Sequence, residues 1–248
     1  MQPIIRLALS TLILAACGSS SPDHGPDAGT GTGTGSGTGT DGGVDAPTNP
    51  AQRYEPWRVG ATWSYKFTDP TGVKPAATGR KTTIGAQEDV GGLHAGQLAY
   101  KAHVETLGGA KDVWETPMGD LDVRYKTAYY DATGALTETD VEQPSRLKLD
   151  ESVAHTATGA MFTETFMENV VKTGTAPTTK SETLAWKVIS TSESVTVIAG
   201  TYTNVLHVQR FNAAKAETVD YWYARGVGKL KETGGNNDEE LEAFTPGP

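Results

Sequence analysis

The side chains of this sequence with the means to do chemistry are a few histidines, two runs of carboxylates and one serine–lysine pair. His94, His103, His155 and His207 lie far apart, and no H-x-x-x-H or H-E-x-x-H pair occurs that would set two imidazoles around a zinc ion. Glu138, Asp140 and Glu142 alternate along one stretch, and Asp238, Glu239 and Glu240 cluster near the C-terminus. A hydrolytic carboxylate pair works across a cleft at a defined separation. Side by side on one strand, such residues read as a solvated face, with weak calcium binding as the chemical alternative. No metal site and no catalytic residue is assigned.

Ser145 and Lys148, with Lys172-Thr173-Gly174 downstream, reproduce the S-x-x-K and K-T-G spacings of serine acyl-transfer enzymes. That chemistry requires the serine in its own helical setting and an S-D-N loop between the two motifs. Pro144 and the alternating Leu147 and Leu149 instead give a strand, and no S-D-N occurs. Gly37 to Gly42 fits G-x-G-x-x-G but has neither the preceding strand nor the following helix that would aim amides at a pyrophosphate. A non-enzymatic protein without a cofactor is therefore expected. With 30 acidic against 21 basic residues, a net charge of -9 and no clustered basic field, nucleic acid is not an expected partner. The 248 residues contain one cysteine, Cys17. The remainder therefore has no disulfide, zinc thiolate or cysteine nucleophile.

The surroundings of Cys17 indicate its use. Residues 1–16 carry Arg6 and then an apolar run from Leu7 to Leu14. The run falls short of the ~20 residues that span a bilayer but suits a secretory signal peptide. Leu14-Ala15-Ala16-Cys17 resembles the lipobox of bacterial lipoproteins. The resemblance implies cleavage before Cys17, attachment of lipid to its thiol, and the membrane as a partner through that anchor. Gly18, where an aspartate would retain the protein at the inner membrane, implies the outer membrane by similarity to the enteric sorting rule, on its periplasmic face or at the cell surface. More than one acyl chain anchors stably, because each buried methylene contributes about 0.8 kcal/mol.

Residues 17–52 read as a tether. The 33 positions from Gly18 to Pro50 include 10 Gly, 6 Thr, 4 Ser, 4 Pro and 4 Asp. Val44 is their one sizeable apolar side chain, which is too little to offset chain entropy, so disorder is expected. A flexible coil of this length has an end-to-end distance of roughly 30 Å.

Residues 53–248 form a single all-β domain on this reading. Short runs rich in Thr, Val, Tyr and Trp are broken by Gly, Pro, Asn and Asp about every ten residues. Trp63, Tyr65 and Phe67 share a face, as do Leu98, Tyr100, Ala102 and Val104, and again Val123, Tyr125, Thr127 and Tyr129 opposite Asp122, Arg124 and Lys126. Turn residues sit between such runs at Gly91-Gly92, Gly108-Gly109 and Asp131-Ala132-Thr133-Gly134. Sequential hairpins make a curved antiparallel meander, expected here as a half-barrel or open barrel. Met161 to Val171 leaves room for one short helix, since Phe162, Phe166 and Val170 repeat at i, i+4 although Thr163 and Thr165 favour strand.

Val59-Gly60-Ala61-Thr62-Trp63-Ser64-Tyr65, Ala199-Gly200-Thr201-Tyr202 and Tyr221-Trp222-Tyr223-Ala224-Arg225-Gly226-Val227-Gly228-Lys229-Leu230-Lys231 together resemble a pattern of uncharacterised bacterial envelope lipoproteins. The resemblance implies a half-barrel like that of lipoprotein carriers and brings no activity with it. On a curved sheet, Trp63, Tyr65, Tyr125, Tyr221 and Tyr223 are expected on the concave side, where they fill a core or line a groove for an apolar or amphiphilic ligand. A monomer is expected. The competing role is a cell-surface module that contacts a protein or polysaccharide.

Overall fold

The computed structural model describes residues 49, 52–68, 77–106, 108–235 and 238–248. The signal peptide, Cys17 and all of the tether except Asn49 and Gln52 lie outside these residues. Twelve strands follow one another: β1 (Thr62–Thr68), β2 (Ala77–Gly91), β3 (His94–Thr106), β4 (Gly109–Met118), β5 (Leu121–Asp131), β6 (Leu136–Asp150), β7 (Met161–Lys172), β8 (Thr178–Val197), β9 (Gly200–Asn212), β10 (Glu217–Ala224), β11 (Gly228–Gly234) and β12 (Asp238–Thr245). The described residues contain no α-helix. The ambiguous Met161–Val171 stretch is strand β7, paired with both β6 and β8. A spacing of four is even, so Phe162, Phe166 and Val170 share a face of a strand as well as of a helix.

Each strand pairs antiparallel with its neighbours in sequence, and β1 pairs with β12 from Thr62↔Thr245 to Thr68↔Asp238. The sheet is thus a closed barrel, which corrects the expected half-barrel. Closure removes the two rows of unpaired backbone N–H and C=O groups that an open meander would leave at its edges. Alternation reports which face a residue takes but not whether the first and last strands meet. Among the described residues the shortest register is that of β11 with β12, Lys231↔Glu240 and Glu232↔Glu239.

An eight-stranded barrel is just wide enough for side chains to fill it, so twelve strands leave space inside. The cavity measures about 310 Å³. One apolar cluster, with Trp57, Trp63, Ile84, Val104, Val113 and Leu241, and a second, with Leu149, Phe166, Trp186, Val208, Tyr221 and Tyr223, form much of the wall around it. A third cluster of Val90, Ala99, Trp114, Val123, Tyr125 and Ala128 lies away from the cavity. His94 from the start of β3 packs there on Tyr125, with ring centroids 4.7 Å apart, and Lys126 donates to the Val90 carbonyl at 2.5 Å.

One end of the barrel is closed by the segment that leads into β1. Arg53 donates to the Asp122 carboxylate and to the Gly119 carbonyl, both at 2.9 Å. Glu151 accepts the backbone N–H groups of Tyr54 at 2.9 Å and Glu55 at 3.1 Å. Trp57 donates its indole N–H to Asp122 at 2.6 Å, and the Arg53 carbonyl accepts the Gly226 N–H at 2.7 Å. These bonds fix residues 53–57 across the turns β4–β5 and β10–β11 and the start of the β6–β7 connection, so that Glu55, Pro56 and Trp57 face the cavity as a plug.

Candidate functional site

The inner wall is not the apolar surface that a strand-by-strand reading suggests. Seven basic side chains line the cavity (Arg80, Lys111, Arg124, Arg146, Lys148, Arg210 and Lys229) against four acidic ones (Glu55, Glu115, Glu232 and Glu239). The excess is positive inside a protein whose total charge is -9.

Most of the carboxylates are taken up. Glu115 accepts two hydrogen bonds from Arg124, at 2.8 and 2.6 Å, and has Lys148 at 3.7 Å. Burial alone would raise Glu115, but Lys148 and Arg124 outweigh it and hold the group at about 2. Glu232 is likewise held at about 2, with burial overcome by Lys229 and Arg80. Lys229 also donates to Glu239 at 2.6 Å, and Arg80 pairs with Glu239. Glu55 lies deep in the plug, and burial pushes it up to about 7 against the pull of Lys148.

The cations left over are informative. The Lys111 side chain has no hydrogen bond or ion pair to any described residue, and burial, reinforced by Arg80, Arg124 and Lys148, pushes it well below the usual lysine range. Arg146 is the cross-strand partner of Arg124, and its Nε is buried without a hydrogen-bond partner. Like charges directly opposite on one face of a sheet repel. Arg210 lies over the Tyr221 ring at 5.3 Å and reaches a carboxylate only at Glu217, 3.9 Å away.

Trp63, Tyr65, Tyr221 and Tyr223 line the cavity, whereas Tyr125 does not. The strict alternation of Val123, Tyr125, Thr127 and Tyr129 fails because register shifts interrupt β4 and β5 at Trp114/Glu115 and Arg124/Lys126. Val123 and Tyr125 turn away while Arg124 and Tyr129 line the lumen. Trp63 donates to the Val227 carbonyl at 2.5 Å and Tyr65 to the Lys229 carbonyl at 2.9 Å, which fixes both rings against β11. Gly228 makes the first contact possible: its φ is +101°, and a Cβ there would stand 3.0 Å from the Trp63 indole nitrogen.

The carboxylate rows read as solvated faces are also corrected. Asp140 is 8% exposed, Glu142 1% and Glu239 2%. They sit on inner positions of β6 and β12, and closing the sheet takes that face out of solvent. Burial, together with Glu168 and Glu138, raises Asp140 to about 6. Burial raises Glu142 to about 7, opposed by Arg124 and Arg146. Among the described residues no group of three or more His, Cys, Asp or Glu side chains could hold a metal ion. His103 and His155 bond Asp112 and Asp150, and His207 stands between Glu193 and Asp220.

A second, smaller space of about 260 Å³ lies at the β11–β12 seam and shares Glu232 and Glu239 with the main cavity. Those two carboxylates are cross-strand partners. No protein family, curated protein or solved structure matches the chain.

Proposed function

We propose that this chain is a lipid-anchored protein of the bacterial envelope, without a catalytic role, whose barrel holds a small amphiphilic ligand. The observation that supports the binding role is the cavity, with its aromatic wall of Trp63, Trp186, Tyr221 and Tyr223 beside charged groups. Its volume of about 310 Å³ stands at the lower end of the range of small-molecule sites, roughly 300–1,000 Å³. Attachment to the outer membrane rests on the lipobox resemblance at Cys17 and on Gly18. The outside of the barrel agrees with that means of attachment. Lys66, Lys81, His103, Glu105 and Lys187 are exposed on it, whereas a membrane-spanning barrel presents an apolar band to lipid. A closed sheet offers no free edge for strand addition, which favours a monomer.

Native mass spectrometry of the full chain, taken from a bacterial membrane fraction and then denatured, tests both halves of the proposal. The expected result is a noncovalent small molecule lost on denaturation and an acylated Cys17 that remains. A chain with its formula mass in both measurements contradicts the proposal.

A further inference from the structure

An unpaired cation inside a barrel is costly, and the two such cations here can respond differently. Lys111 can lower the cost by releasing its proton, and its surroundings push it in that direction. Arg146 cannot, because a guanidinium stays protonated in proteins. Its Nε finds no acceptor, Arg124 stands opposite it across the β5–β6 register, Glu115 is already doubly bonded to Arg124, and Glu142 and Glu164, whose charges reach Arg146, make no hydrogen bond or ion pair with it. The Phe166 ring, 5.9 Å from the guanidinium, gives a weak cation–π contact and no acceptor. Leaving a buried charge without a partner is the arrangement that folded proteins avoid.

Resting on the binding role proposed above, we propose that the lumen takes a small organic oxyanion, a carboxylate or phosphate on a short apolar body, with its head at Arg146. Arg210, which lines the same cavity, supplies further positive charge. The body of the ligand lies along Trp186 and Tyr221, whose rings are 6.3 Å apart and which line the same cavity. The arginine suits this role because its planar fork donates two parallel hydrogen bonds to either oxyanion. A hydroxyl head of the same length would offer Arg146 a single uncharged acceptor, and a cationic head would add repulsion.

Titration calorimetry on the full chain with octanoate, octyl phosphate, octanol and octylamine tests this directly. Octanoate or octyl phosphate, or both, should bind at least tenfold more tightly than octanol, with octylamine weakest, and the stronger of the two oxyanions identifies the natural head group. Arg146→Met should cost about tenfold in oxyanion affinity and leave octanol unchanged. The wild-type comparison stands without the variant. Equal binding of octanol and both oxyanions overturns the oxyanion assignment but leaves the lumen a binding site. If none of the four probes binds, both readings fail together.

Discussion

The Arg53 guanidinium and the Asp122 carboxylate meet at 2.9 Å where water scarcely reaches, their side chains being 7% and 0% exposed. Glu151 lies 3.6 Å from the same guanidinium. Burial raises Asp122 against the pull of Arg53, and Glu55 and Glu151 raise it further. One arginine thus fastens the plug to the β4–β5 and β6–β7 ends of the barrel.

Removing the arginine takes away the buried donor to Asp122 and Gly119 and the cation beside Glu151. Arg53→Met should lower unfolding stability by about 3–5 kcal/mol, the usual cost of breaking a buried pair from one side. Urea denaturation of the variant beside wild type measures it. A change near zero would show that the plug is not held through this contact.

Glu142 gives a pH-dependent prediction with a definite sign. Its carboxyl is raised to about 7 in the folded chain, from 4.5. The native state therefore holds a proton that the unfolded state has released, and the stability this confers is full below about pH 4.5 and lost as pH rises through the folded value. Glu142→Gln cannot ionise. Relative to wild type, its melting temperature should therefore rise more at about pH 8 than at about pH 5. An offset equal at the two pH values would contradict the assignment.

Tyr125 belongs to the cluster outside the lumen, 6% exposed and packed with His94 and Val123. Tyr125→Ala should destabilise the barrel by roughly 3 kcal/mol, as other aromatic-to-alanine changes in cores do, while the affinity for octanoate stays at the wild-type value. Tyr221→Ala, on the cavity wall, should weaken octanoate. Titrating both variants under conditions where each remains folded separates the two walls. Equal losses of affinity would mean that Tyr125 reaches the ligand.

What could be read from the sequence follows from local periodicity. Alternation locates strands such as β1 and β10, and glycines and aspartates mark turns such as Asp131–Gly134, where Asp131 accepts the backbone N–H groups of Thr133 and Ala135. Trp63, Tyr65, Tyr221 and Tyr223 were legible for the same reason, since each lies on an uninterrupted run. Arg124 and Arg146 were not. Alternation assigns a charged residue to solvent, and only closure of β1 on β12 shows that this face is interior. The register shift in β5 hid Tyr125 in the opposite sense, because one extra residue exchanges the faces from that point on. The plug was illegible because it depends on contacts between residues 65 or more positions apart, such as Trp57 with Asp122, Tyr54 with Glu151 and Arg53 with Gly226.

Arginine Nε–H NMR on the full chain observes the Arg146 side chain proposed to hold the oxyanion. Saturation with octanoate should shift the Arg146 Nε–H resonance and slow its exchange with water, while that of Arg225, exposed on the β10–β11 turn, stays in place. Octanoate that binds without moving the Arg146 resonance would contradict the account.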